Sequence, residues 1–446
     1  MAAPTPSARE AAIVVLARVD AGEAFANLLL TATLNRARLS DTDAGLVYEL
    51  VLGVLRHRAR VDWTLGGTLR HPLERLTPRI RAILRSGAYQ LLFLPRIPAH
   101  AAVDEAVTLA RRHGHAGTAK LVNAVLRRVA ADGERPLPAG PPADRLAIEH
   151  SHPRWLVERW ITRLGAGEAA ALCAANNVPG LPAVRVNVLR VSPDGAARRL
   201  RDAGVTVTPT PLPEGYYVEG PLRPRRAMVD EGLLTAQDVG AMLVTHLLDP
   251  QPGETIIDAA AAPGGKATHI AERMRDRGRV IACDVHQGKL QRLSRRASVM
   301  GLESLEAHHQ DARTLGTAFR RQAHRLLLDA PCTGFGVVRR RPDIKWRARP
   351  EDISQLAALQ AQMLDGAADA VREGGILVYS VCTMEEEEGP NVIRAFLRTH
   401  PEFAPDPELP LPGRFGGAGA GPGRVLLLPH RDGTDGFYVA RLRRHR

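Results

Sequence analysis

The segment Thr255–Lys266, TIIDAAAAPGGK, decides how the C-terminal half of the chain is read. An apolar run ends in Asp258, crosses four alanines and Pro263, and turns on Gly264-Gly265 into a helical stretch. Two glycines at a strand-to-helix turn let backbone approach a ligand closely. The turn is not a Walker A loop, because Ala260 stands at the first glycine position and Ala267 at the serine or threonine position. It is not GxGxxG either. Alone it is a weak signal, since tight turns of this kind use glycine anyway.

Outward from this segment the rhythm repeats. Apolar β runs at Thr255–Ala260, Arg279–Asp284, Leu305–Asp311, Arg325–Ala330 and Gly375–Cys382 alternate with helical stretches. This predicts a doubly wound, largely parallel, Rossmann-like α/β domain over residues 231–446. Ligands of such sheets bind at the carboxyl ends of the strands. The polar residues expected there are Asp258, Asp284, Asp311, Asp329 and Cys382. Asp284 ends the second strand, where an acid commonly bonds a ribose diol. Its competing reading is a helix N-cap. Asp311 is placed to reach an adenine edge. Together they describe an adenosine cofactor without a phosphate-binding signature, which favours S-adenosylmethionine over NAD or ATP.

Two strand ends carry thiols, in Asp329-Ala330-Pro331-Cys332-Thr333 and Tyr379-Ser380-Val381-Cys382-Thr383. A lone cysteine in such a place is more often a small buried hydrophobe. Two at neighbouring strand ends, facing an adenosine pocket, suggest chemistry. Carbon 5 of cytosine is a poor nucleophile, but a thiolate adding at carbon 6 converts the ring into an enamine that accepts a methyl group. A carboxyl group at ring nitrogen 3 stabilises the developing charge, and Asp329 is placed for that. No zinc-type spacing involves Cys173, Cys283, Cys332 or Cys382, so no metal is expected. Glu385–Glu388 just beyond Cys382 should raise a thiol pKa. If they open the next helix, they suit its dipole and face solvent. Lys266 is the candidate counter-charge.

Residues 8–131 read as helices. The stripes Leu46/Val47/Leu50/Val51/Val54/Leu55, Ile80/Ile83/Leu84/Leu91/Leu92, Val103/Ala106/Val107/Ala110 and Leu121/Val122/Val125/Leu126/Val129 predict a bundle. Ser40 with Asp43 makes a capping box. The proline-rich run 132–145 reads as a linker. The expected order is a helical domain at 1–135, a connector at 136–150, a small α+β module at 151–230, then the α/β domain. In the module, Ala183–Leu189 alternates as a strand and Ser192-Pro193 starts a helix.

Net charge is +12, from 60 basic and 48 acidic residues. Residues 1–140 hold 19 basic and 12 acidic residues, so +7 sits in less than a third of the chain. That suits a polyanionic partner, although only four basic residues are lysines and arginine abundance also fits a compositional bias. Few, scattered cysteines and no membrane-length apolar run point to a reducing, cytoplasmic setting without a membrane partner.

The runs DAAAAPGGK, LLLDAPCTGFGVVRRRPDIKWR and YSVCTMEEEE resemble the signature motifs of the Sun/Nop family of RNA cytosine-5 methyltransferases. The N-terminal runs ELVLGVLRHR, LRSGAYQLLFLPRIPAHAAVDEAV and KLVNAVLRR resemble the NusB-type RNA-binding domain. The likeness covers nearly the whole chain, weakening in the linker and at 403–423. It implies that Cys382 attacks carbon 6, that Cys332 assists product release, and that Asp329 contacts base and cofactor. It implies a cofactor pocket of Ala260, Ala261, Ala262, Pro263, Gly264, Gly265, Lys266, Asp284, Asp311 and Asp329. The expected partner is small-subunit ribosomal RNA, bound by a monomer. Ala260, Val381 and Gly389 depart from the family pattern, which has cysteine, threonine and asparagine there. The rival readings are a transfer RNA methyltransferase sharing the catalytic domain and a non-catalytic RNA-binding protein. The thiol pair argues against the second, and the helical domain, by resemblance, against the first.

Overall fold

The computed structural model describes residues 7–37, 39–412, 415 and 420–445. The chain divides into two units, Met1–Pro179 with Val338–Ala348, and Gly180–Val337 with Arg349–Arg446.

The first unit is helical, with helices Ala8–Asp20, Ala26–Ala37, Asp41–Arg56, Arg58–Gly66, Pro78–Phe93, Ala99–His113 and Ala116–Asp132. The expected stripes supply its core: Val47, Leu50, Val51, Val54, Ile83, Leu84, Ala106, Val122, Leu126 and Val129 are buried together. Ser40 caps its helix by accepting the Asp43 amide at 3.1 Å. The presumed linker is shorter than its prolines suggested, because a helix forms at Pro142–Glu149. Proline at a first helical position loses no hydrogen bond, so it starts this helix instead of preventing it. Helices Arg154–Leu164 and Ala166–Asn177 complete the unit.

Residues 338–348 join this unit from far along the chain. Asp343 accepts the Ala26 amide at 2.9 Å, Lys345 donates to the Arg56 carbonyl at 3.0 Å, and the Trp346 indole donates to the Leu55 carbonyl at 2.6 Å. Backbone groups at helix ends, which lack partners within their helix, are thereby satisfied.

In the second unit a four-stranded antiparallel sheet has the order β2-β3-β1-β4, from β1 (Ala183–Val186), β2 (Thr206–Pro209), β3 (Gly215–Glu219) and β4 (Leu234–Ala236). Helix Pro193–Asp202 packs beside it, with Ser192 accepting the Gly195 amide as its cap. The larger sheet contains β5 (Thr255–Asp258), β6 (Arg279–Asp284), β7 (Leu305–His309), β8 (Ala323–Asp329), β9 (Val371–Val381), β10 (Phe403–Pro405), β11 (Ala420–Gly421), β12 (Arg424–Leu427) and β13 (Phe437–Arg444). Its path is β11-β12-β13-β9-β8-β5-β6-β7, with β10 on β13. The five strands expected from sequence form the parallel run β9-β8-β5-β6-β7. Four further strands extend it in antiparallel fashion. Among the described residues no helix is long and apolar enough to cross a membrane.

Asp20 ties the helical unit together. It receives Arg81 Nε at 2.8 Å and Arg85 Nη1 at 3.0 Å, with Arg58 Nη2 at 3.2 Å. Burial opposes its charge, but Arg85, Arg58 and Arg81 outweigh burial and hold the carboxyl below its usual range. A depressed carboxyl contributes stability above its unfolded pKa and loses it as pH falls through the folded value. Asp20→Asn should therefore cost about 3 kcal/mol at pH 7, with the deficit shrinking as pH falls below the ordinary carboxylate range. All four tryptophans (Trp63, Trp155, Trp160, Trp346) lie in this unit, so indole fluorescence during urea unfolding reads it selectively.

Candidate active site

The parallel strands deliver the site because their carboxyl ends lie side by side. β5 ends in Asp258 between β8 and β6, and the pairing Asp329↔Ser380 aligns β8 with β9 one residue short of Val381. The chain then continues into Cys382. The first thiol follows β8 in the same way, at Cys332.

Asp258 is buried, and neither carboxylate oxygen makes a well-aligned hydrogen bond among the described residues. Burial, then the neighbouring Asp329 charge, pushes it up to about 7. An acid kept in this state at the end of the first strand is suited to a ligand that brings its own donors or positive charge. The adjoining turn is open on one side. Space is clear where a Cβ on Gly265 would lie, whereas Gly264 has φ +111° and a Cβ there would meet Leu293 Cγ at 2.8 Å. Gly264 thus permits the turn, and Gly265 leaves room beside it.

Asp284 fastens that turn. Its Oδ2 accepts the Ala262 amide at 3.2 Å and its Oδ1 the His286 amide at 2.8 Å. The following helix has His286 at its N-cap, without a side-chain cap bond. Asp311 lies beyond the end of β7, caps the short turn Ala312–Thr314, and is gripped by the Arg313 guanidinium at 2.6 Å. That bond holds its carboxyl below the usual range.

Lys266 joins the cofactor end to the chemical end. Its Nζ donates to Asp329 Oδ2 at 2.6 Å, while Asp329 Oδ1 accepts the Ser380 hydroxyl at 2.7 Å. Burial works against the ammonium, but Asp329 overcomes it, and the charges of Cys382 and Asp258 add to the rise in its pKa. Lys266 is therefore first of all the counter-charge of Asp329. The two thiols meet, with Cys332 Sγ and Cys382 Sγ 3.3 Å apart. The hydrogen bond to Cys382 first, then burial and the charges of Cys382, Glu388 and Asp329, push the Cys332 thiol well up. Cys173 and Cys283 are buried and lie outside this pair.

The glutamates correct an expectation. Glu385 and Glu388 do not face solvent; both are 0% exposed, and the next helix begins only at Pro390. Glu388 instead accepts the Thr333 amide and hydroxyl at 2.8 and 2.5 Å. The backbone beyond Cys332 needs an acceptor, and that need outweighs the helix dipole.

Arg185, in β1, is a residue that sequence reading passed over. Wholly buried, it donates to the Gly265 carbonyl at 2.7 Å, to Thr268 at 3.0 Å, to both oxygens of Glu272 at 2.9 Å, and to Gln237. It thereby holds the first turn of helix Gly265–Arg273. The available signal was an arginine inside the apolar run AVRV. Close packing also mattered more than expected at Gly336, where a Cβ would lie 2.0 Å from the Gly436 carbonyl oxygen, while its amide bonds the Cys382 carbonyl at 3.0 Å. One His/Glu cluster lies outside the site. Glu214 accepts His246 and His269 at 2.7 and 2.9 Å, with the Arg273 guanidinium 3.4 Å from His246 Nε2.

A parallel α/β sheet with acids and a glycine turn at its carboxyl edge is the frame of an S-adenosylmethionine-dependent methyltransferase, and two thiols stand together at that edge. The comparisons agree. Residues 245–443 match the family described as 16S rRNA methyltransferase RsmB/F, residues 6–131 the NusB family, and residues 152–223 the ferredoxin-like domain of RsmF/B-like methyltransferases. The chain is 37% identical over 444 residues to the "Probable ribosomal RNA small subunit methyltransferase B" of Bacillus subtilis, covering 98% of this chain and 99% of that one. It is 37% identical over 445 residues to the "Ribosomal RNA small subunit methyltransferase B" of Thermus thermophilus, covering 100% and 99%. The crystal structure of PH0851 superposes with a TM-score of 0.84 at 26% identity, covering 99% of each chain. The chain belongs to the RsmB/F family of rRNA methyltransferases.

Removing the Arg185 guanidinium strands Glu272 without a partner in the interior. Arg185→Met should cost about 3–5 kcal/mol, and adding Glu272→Met should recover most of it. Calorimetric unfolding of the two variants decides this. Equal losses in both would mean that the charge pairing is not what matters.

Proposed function

We propose that this enzyme methylates carbon 5 of a cytosine in small-subunit ribosomal RNA through a covalent bond between Cys382 and carbon 6. The observation that carries the reading is the thiol pair at 3.3 Å beside the Lys266–Asp329–Ser380 chain. The relatives' names supply the RNA class, and the family's methyl donor is S-adenosylmethionine.

Ala260–Lys266, Asp284 and Asp311 would hold the cofactor, with Asp258 beside them. When bound, the cofactor would supply the electrophilic methyl group. Cys382 reacts as its thiolate, the nucleophilic form of a thiol. That thiolate adds to carbon 6 and moves the ring's electrons onto carbon 5 and nitrogen 3. Asp329, held by Lys266 and Ser380, would meet nitrogen 3 and pass it a proton drawn from the Lys266 ammonium, which offsets the charge. After methylation carbon 5 carries both a methyl group and its proton. Cys332 assists loss of that proton, directly or through water, and the electron pair left behind expels Cys382 from carbon 6. The helical domain presents RNA and does no chemistry.

The two thiols should fail differently when replaced. With RNA and cofactor on a denaturing gel, Cys332→Ala should accumulate a protein–RNA complex, and Cys382→Ala should form none. The reverse pattern would make Cys332 the nucleophile. Asp284→Ala should weaken S-adenosylmethionine binding at least about tenfold by calorimetry, because a charged acceptor is lost from ligand and turn together. An unchanged dissociation constant would remove Asp284 from the pocket.

A further inference from the structure

The covalent mechanism leaves the buried Glu388 without a task. Glu388 is entirely enclosed, and burial raises its pKa against the pull of three donors. Those donors surround Cys332. Glu388 Oε1 accepts the Thr333 amide at 2.8 Å and Gln360 Nε2 at 3.0 Å; Oε2 accepts the Thr333 hydroxyl at 2.5 Å. Gln360 Nε2 also donates to the Pro331 carbonyl at 2.9 Å. The residues on both sides of Cys332 are thus fixed to one carboxylate.

The same network reaches the second thiol. Thr333 Oγ1 lies 3.0 Å from Thr383 Oγ1, and Thr383 follows Cys382 directly. With the Thr333 proton given to Glu388, Thr383 donates in that contact. Tyr379 on β9 donates to the Glu388 carbonyl at 2.5 Å, anchoring the carboxylate's backbone to the strand that carries Cys382. Cys382 has other supports, since β9 is held by β8 and β13 along its length. The turn Pro331–Thr333 lies outside any strand and depends on Glu388 and Gln360.

We propose that Glu388 is a positioning residue for product release, clamping the Pro331–Thr333 turn so that the Cys332 thiol stays against Cys382. The inference rests on the covalent reading above. Without the clamp, Cys382 still adds to the base and the methyl group still transfers. Cys332 then drifts from the proton on carbon 5, and elimination slows. A glutamine at 388 preserves the clamp, because its carbonyl accepts from Thr333 N and Gln360 while its amide donates to the Thr333 hydroxyl. An alanine leaves those buried donors unmatched.

The test uses full-length enzyme, S-adenosylmethionine and an unmodified small-subunit ribosomal RNA transcript, with Cys332→Ala run in parallel. Glu388→Ala should raise the denaturation-resistant protein–RNA complex on the order of tenfold over wild type and lower kcat comparably, the loss expected from buried charge-assisted hydrogen bonds. Cofactor affinity should be unchanged, and Glu388→Gln should behave as wild type. Thr333→Val, which removes the hydroxyl's contacts with Glu388 and Thr383 but keeps the amide bond, should show intermediate accumulation and serves if Glu388→Ala does not fold. A fall in kcat without accumulated complex, failure of Glu388→Gln to rescue, or wild-type behaviour of Thr333→Val would overturn the proposal. Absence of complex with Cys332→Ala would instead overturn the covalent reading beneath it.

Discussion

Lys266 and Asp329 meet at 2.6 Å, and much of the site is organised around that contact. Lys266 lies in the first turn of the helix after β5, Asp329 ends β8, and Ser380 on β9 completes the chain. Three adjacent strands are thereby joined through side chains at the edge where chemistry is expected. An ion pair shielded from water is costly unless its remaining bonding capacity is used. Here the carboxylate takes a second donor from Ser380, and the ammonium lies near Cys382 and Asp258 as well. The arrangement sets one cation among the acids at two neighbouring strand ends.

Distributed support replaces any single anchor. Arg185 holds the helix start behind the glycine turn, Asp284 holds the turn itself, and Glu388 holds the loop of the second thiol. Each is a buried polar side chain bonded in part to backbone, and each sits on an element other than the one it steadies. Loops built this way keep their geometry without being part of a strand.

Much of this was legible in the sequence, and the parts that were not share a physical cause. Strand ends at Asp258, Asp284 and Asp329 follow from local apolar runs bounded by turn residues, so β5, β6 and β8 fall within a few residues of expectation. The thiols are brought together by strand register, which alternation of β runs and helices implies. The four antiparallel strands at 403–444 were missed, because short runs such as Phe403–Pro405 carry no period of their own and pair only through β13. Glu388 looked solvent-facing because four glutamates in a row suggest a helix start; its partners, Thr333 and Gln360, come from distant segments. Arg185 inside an apolar strand and the docking of 338–348 with the helical unit are likewise fixed by contacts far apart in sequence.

The central claim, that Cys382 bonds carbon 6 of the target cytosine, is tested most directly by trapping the bond. An RNA substrate made with 5-fluorocytosine has no proton at carbon 5 to lose, so an adduct that has accepted its methyl group cannot eliminate. Wild-type enzyme incubated with this RNA and S-adenosylmethionine is digested with protease and nuclease and read by mass spectrometry. The account predicts a methylated fluorocytidine nucleotide on the peptide containing Cys382. The same nucleotide on the Cys332 peptide, or turnover with no bonded peptide, would contradict it.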